Sequence, residues 1–407
     1  MTHRRLFVVL AAALAALTLP LAGCGGDDGG QTLKIVSDLP LQGAARGQTE
    51  SMVAAIELYL EQQENKAGDY TIEYESVDDS TAAKGAWDEA VCAANARRYV
   101  DDETIVGVIG TFNSGCAKIE VPIANEGGLA YISPANTAVG LTHEGPGSEP
   151  GEPDKYFPSG VRNYTRVVAS DDFQGAVDAQ YMMEDLGVTK VFILDDKDAY
   201  GKGVADAFEI AANEIGLEVV GHEGWDANAS NYTALMTKIK ATGADGIFIG
   251  GIADFNGGQV VKDKVAVVGD NDAVKLLVSD GMVTQSIFDE AGQDSLQGAY
   301  GSAPVINPED LTGSGADFIA AYEAEHGPPE VYTAYAAAAA QVILDAIARS
   351  DGSREDIIAK MFETDIPDGI VGPMAFDENG DPRQRQISIF RADAGAWAFD
   401  KAVQVGG

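Results

Sequence analysis

Cysteine and histidine are scarce in this chain, with three of one and four of the other among 407 residues, and no C-x-x-C pair. The spacings that build zinc sites are therefore missing. Bases are scarce too: 27 Lys and Arg stand against 64 Asp and Glu, a formal charge of −37. Such a surface repels polyphosphates and anionic lipid, which argues against nucleic acid as a partner and against electrostatic adhesion to a membrane. Long apolar runs are confined to the extreme N-terminus. The run Ala336–Ala340 sits in a helical pattern that also carries Gln341 and Asp345. Two signatures of chemistry are absent as well. Gly201 and Gly203 continue to Asp206 where a dinucleotide loop needs a third glycine, and no G-x-S-x-G elbow occurs.

What is present begins with a leader. Arg4-Arg5 forms a basic start, Leu6–Leu19 an apolar core too short to span a bilayer, and Leu21-Ala-Gly-Cys24 a close. A small-residue pair directly before cysteine resembles the lipobox of bacterial lipoproteins, which implies diacylation of Cys24 and cleavage before it. Residues 1–23 are then the signal peptide, and 24–31 the lipid anchor and flexible tether, GGDDGGQ after the cysteine. The expected location is extracytoplasmic, anchored to the cell membrane through Cys24 alone. With that cysteine committed, Cys92 and Cys116 remain, an even count for an oxidising compartment. They are expected to pair and brace a loop, buried free thiols being the alternative.

The chain beyond the leader exceeds one ordinary core and implies two lobes. Short Val/Ile/Leu-rich strands alternate with helical patterns from Thr32 to Ser133, and the alternation starts again after Asn163. Strands are expected at Val191–Asp195, Leu217–Gly221, Gly246–Gly251 and Lys275–Ser279. Helical spacing covers Gln48–Gln63, Ala82–Tyr99, Gly201–Ile215, Tyr232–Ala241 and Ala253–Val267. This is an α/β pattern: two doubly wound parallel sheets, one per lobe. His143–Tyr156, rich in Gly, Pro and Glu, reads as a surface loop.

The stretch Ile105–Thr137, IVGVIGTFNSGCAKIEVPIANEGGLAYISPANT, reads as strand, loop, helix, strand, loop. Ser114 and Thr137 leave the two strand ends, where ligands of open α/β sheets bind and where helix N-termini offer free N–H groups. A hydroxyl and amides at each exit would suit a small carboxylate. Loop capping is the ordinary use of such residues.

VIGTFNSGCA and GLAYISPANT resemble the first half of the ligand cleft in type I periplasmic solute-binding proteins, and most of all the branched-chain amino-acid receptors of ABC importers. The resemblance covers nearly all of the chain after the leader. It implies a three-strand hinge with crossings near Val167, Ala299 and Met374, a first lobe of 32–167 and 300–374, and a second of 168–299 and 375–407. It implies that Ser114 and Thr137 bind an α-carboxylate and that the Ala135 carbonyl accepts from the α-ammonium. Tyr200, after strand VFILD, matches the aromatic that covers the ligand, and Asp280 matches the acid that pairs with the ammonium. It implies no enzyme activity, no cofactor and no metal, and an ABC permease as partner.

Two loops depart from the family pattern. Arg46 stands where several members carry an aromatic. Pointing inward it would favour an acidic or strongly polar ligand side chain; pointing outward it is a solvated residue. The loop after Gly251 makes Ile252, Asp254 and Phe255 candidate specificity contacts. Asp171 and Gln174 open a second-lobe helix, where capping is their default role. Asp377-Glu-Asn-Gly-Asp superficially resembles calcium-loop spacing, but Pro382 displaces the required glycine and a hairpin turn is expected. The function expected is capture of an α-amino acid, branched-chain or polar, by hinge closure for an ABC importer. A sensory receptor of the same fold, for amino acids or small amides, is the alternative. An esterase using Ser114 is a third, though no histidine is placed beside that serine.

Overall fold

The computed structural model describes residues 31–404. The leader, Cys24 and the tether up to Gly30 lie outside them. Among the described residues no helix is long and apolar enough to cross a membrane.

Two sheets carry the fold. The first runs in the order Lys66–Ala67, Tyr70–Asp78, Thr32–Leu39, Ile105–Gly110, Ala130–Ser133 and Tyr164–Arg166. All its pairings are parallel except the hairpin that adds Lys66–Ala67. The second runs Glu218–Gly224, Lys190–Asp195, Gly246–Gly250, Lys275–Val278 and Tyr300–Ala303 in parallel. Gln386–Asp393 and Ala396–Gln404 then close its edge as an antiparallel hairpin. Both central strands, Ile105–Gly110 and Gly246–Gly250, are buried throughout, as their unbroken apolar character requires of sheets covered on two faces.

Tyr300–Ala303 was expected to begin the return to the first lobe. It pairs instead with Lys275–Val278 and Gln386–Asp393, so the chain leaves the second sheet only after Ala303. Its partners on both sides supply a ladder that a crossing strand would forgo. The helix expected from Ala82 begins at Glu89, because Ser80–Thr81 and Ala86–Trp87 form a small hairpin turned by Gly85 at φ 62°. Asp88 then caps the helix through the Ala90 and Val91 N–H groups.

The segment expected as a plain surface loop, His143–Tyr156, is partly built into the seam. Glu152 is buried, accepting from the Tyr156 hydroxyl at 2.5 Å and pairing with Lys118 at 2.9 Å. Gly147 lies so close to the Gly203 carbonyl of the second lobe that a Cβ would stand 2.4 Å away. Gly/Pro-rich composition marks turns, not exposure.

At the hinge, Arg166 is fully buried. It pairs with Asp381 at 2.6 Å and donates to the Asn136 and Ala138 carbonyls at 3.3 and 2.8 Å. Asp377 accepts from the Asn379 and Asp381 N–H groups and so shapes the turn that presents Asp381.

Candidate functional site

The strand Ile105–Gly110 ends in a loop that feeds the helix Ser114–Glu126. The next strand, Ala130–Ser133, ends in Pro134–Thr137. Two buried side chains fix these exits against each other. Ser133 Oγ donates to the Thr111 carbonyl and accepts from the Ala135 and Asn136 N–H groups. Asn136 donates to the Thr111 and Phe112 carbonyls at 2.9 and 3.0 Å. Ser114 opens the helix, and its Oγ accepts the Ala138 N–H at 3.3 Å. Asn113, at the cap position, makes no side-chain capping bond, so the first-turn amides keep their positive end of the helix dipole toward the cleft. The disulfide Cys92–Cys116, with Cα atoms 5.7 Å apart, ties this first turn to the helix Glu89–Asp101.

The opposite wall is acidic. Asp280 follows strand Lys275–Val278, and each of its carboxylate oxygens accepts a phenol: Tyr200 at 2.5 Å and Tyr332 at 2.7 Å. Tyr200 stands in the first turn of the helix Ala199–Ile215, capped by Asp198. Tyr332 precedes the helix Thr333–Arg349 of the first lobe, so this bond joins the lobes. Burial pushes the Asp280 carboxyl above its ordinary range, and the two phenols with the Gln174 amide draw it only part of the way back. Burial and the Asp280 charge raise both phenols in turn. Asp171 and Asp178, also wholly buried, are raised by burial and by the Asp280 charge. Gly281 is held by crowding, since a Cβ there would lie 2.7 Å from the Gly251 carbonyl and from Ile252 Cγ2.

Phe112, Asn113, Ser114, Ala135 and Tyr332 of the first lobe face Tyr200, Ile252, Asp280 and Gly281 of the second across one cavity. It leaves about 10 Å³ of space, roughly one water molecule. A wider groove of about 480 Å³ runs along the same seam past Glu330, Val331 and Trp397, and holds none of the residues singled out from sequence.

The structure thus brings Ser114, Ala135, Tyr200, Ile252 and Asp280 together and leaves two others outside. Thr137 is buried and does not line the cavity; its side chain lies beside the Asp171 carboxyl of the second lobe. Arg46 opens the helix Arg46–Gln62 on its solvent side and pairs with Glu50 at 2.7 Å, the (i, i+4) partner its helical position offers. Sequence reasoning missed Tyr332. An aromatic heading an alanine-rich helix reads as core, and only the fold carries it to Asp280. Among the described residues, two groupings of metal-ligating atoms lie off the cleft. Cys92 and Cys116 beside Asp79 are spent on the disulfide, while His222, near Asp206, already meets Glu209 and Asp195.

A family model described as "Periplasmic binding protein" matches residues 32–396. An amino acid binding protein of Pseudomonas aeruginosa is 26% identical over 309 residues, covering 75% of this chain and 76% of its own. A Leu/Ile/Val-binding protein homolog of Brucella melitensis is 28% identical over 312 residues, covering 75% and 77%. The fold is that of a leucine-binding protein from Thermotoga maritima (TM-score 0.78, 22% identity, 91% of this chain and 98% of the other). It is equally that of a Rhodopseudomonas palustris solute-binding protein solved with benzoate (TM-score 0.75, 19% identity, 92% and 98%). With nearly the whole described chain inside one family match and the type I fold shared with these structures, this protein belongs to the periplasmic binding proteins, a family of extracytoplasmic solute binders rather than enzymes.

Proposed function

We propose that the cleft captures an α-amino acid and presents it to an ABC permease, with the protein held at the membrane by a lipid on Cys24. The ligand carboxylate goes to Ser114 and the uncapped N-terminus of its helix. The ammonium goes to Asp280, with the Ala135 carbonyl as a further acceptor, and the Tyr200 ring covers the ligand. One observation carries this reading: Asp280 is buried between two phenols with acids, not bases, as its charged neighbours. A carboxylate taken out of water needs a cation, and a ligand ammonium is the natural one. A plain aromatic acid, such as the benzoate bound by the Rhodopseudomonas protein, offers no cation to Asp280 and is disfavoured here. Ile252 and Phe112 are the apolar groups nearest the ligand side chain, which favours an aliphatic one. Since the cavity holds about one water, the lobes part to admit the ligand and close over it.

A thermal-shift and calorimetric screen of the twenty amino acids, with benzoate alongside, tests this. At least one α-amino acid is expected to raise the melting temperature of the wild type and to leave that of Asp280→Asn unmoved. A response to benzoate with none to any amino acid would overturn the reading.

A further inference from the structure

The loop after strand Gly246–Gly250 serves both sides of the seam. Ile252 lines the cavity. Two residues on, Asp254 crosses to the first lobe, where its Oδ1 accepts the Ala45 N–H at 3.1 Å and the Ala44 N–H also turns toward it. These amides precede the 17-residue helix Arg46–Gln62, whose cap residue Ala45 has no side-chain acceptor of its own. Asp254 reaches them from 209 residues away and sets a carboxylate beside the positive end of the helix dipole. Phe255 packs beside it on Trp87 and the Cys92–Cys116 pair, a second anchor of the same loop on the same lobe. The approach depends on Gly43, where a Cβ would stand 2.4 Å from Asp254 Oδ1. Asp254 is absent from the cavity lining, so the sequence expectation of a specificity contact does not describe its place.

We propose that Asp254 is a positioning residue for ligand capture: it fastens the second lobe to the N-terminus of helix Arg46–Gln62 and thereby sets how much of the protein is closed. Apparent affinity is the intrinsic affinity multiplied by the closed fraction, so a change in that fraction scales every ligand by one factor. A residue that touched the ligand side chain would instead rank ligands differently. The affinity half of this inference rests on the amino-acid reading above, while the closure half does not.

The experiment uses the mature chain with one fluorophore on each lobe, at exposed positions away from the seam, and reads interlobe distance with no ligand added. Asp254→Ala is expected to shift the distribution toward wider separations. Asp254→Asn, which keeps a side-chain carbonyl as acceptor, is expected to restore most of the closed population. Titration with leucine, isoleucine and valine is then expected to show each one that binds weakened by the same factor in Asp254→Ala, about tenfold. Unaltered interlobe distances in the alanine variant, or an affinity loss restricted to one amino acid, would overturn the proposal. Should no amino acid bind the wild type, the capture reading falls while the distance measurement still decides the latch.

Discussion

Asp381 at the hinge and Asp280 in the cleft are both buried carboxylates on the interlobe seam, and their surroundings push them in opposite directions. Burial raises each. At Asp381 the Arg166 guanidinium and the His143 imidazole outweigh burial and hold the carboxyl well below its ordinary range. At Asp280 two phenols and an amide do not, and the carboxyl stays above it. The hinge is electrostatically complete within the chain, whereas among the described residues no cation lines the cleft cavity or faces Asp280. A region that must hold its shape in both open and closed forms carries its own counter-ion, and a region that must prefer the occupied form leaves that charge to the visitor.

The comparison breaks most sharply at Arg166. Arg166→Met strands Asp381 in the interior and is expected to cost about 4 kcal/mol of stability, read by urea unfolding. A loss under about 1 kcal/mol would mean that His143 and the Thr142 hydroxyl, each 2.9 Å from Asp381 Oδ2, suffice to hold the acid. Asp280→Asn is the converse change, expected to lower amino-acid affinity about a hundredfold in calorimetry while ligand-free stability moves by less than about 1 kcal/mol. If stability fell as far as in the Arg166 variant, the cleft acid would be a structural group like its hinge counterpart. Tyr332→Phe removes one of the two phenols and one interlobe bond, with an expected affinity loss of about 1 kcal/mol.

The pH dependence is the smallest effect and sharpens the contrast by its sign. Asp381 is depressed, so its stabilisation is present above the ordinary carboxylate range and is lost as pH falls from that range through its lower folded-state value. Burial lowers His143, but Asp172 and Asp381 overcome this and raise it to about 9, so its share is full below about pH 6.5 and is lost as pH rises through 9. Asp280 is raised, so its share is present in acid and lost as pH rises. Ligand-free stability is therefore expected to decline from pH 5 toward pH 9, and amino-acid affinity to rise as Asp280 ionises. Chemical unfolding and titration across that range check both. An affinity independent of pH would place the ammonium elsewhere.

Period and composition in the sequence announced the two α/β runs, because buried parallel strands must be continuously apolar and their connections amphipathic. Strand-exit chemistry pointed to Ser114, the family resemblance to Ala135, Tyr200 and Asp280, and a loop departing from the family pattern to Ile252; the fold gathers all five around one cavity. Thr137 shares the chemistry of Ser114, but its side chain lies against Asp171 rather than on the cavity, and no one-dimensional pattern records which way a loop residue faces. Tyr332 and the interlobe bond of Asp254 were illegible for a different reason. Each acts through a partner on the other lobe, Asp280 and the Ala45 N–H, and contacts between distant segments leave no local spacing to read. The insertion at His143–Tyr156 looked solvent-facing because turn residues dominate it. Two of its buried members, Glu152 and Tyr156, satisfy each other.

The cavity's small free volume has a kinetic corollary. In the proposed closed form, a ligand held between Phe112 and Tyr332 on one lobe and Tyr200 and Ile252 on the other leaves as the lobes part, which ties its escape rate to the protein's own opening rate. Amino acids of different side chain would then depart at similar speeds and differ chiefly in how readily they provoke closure.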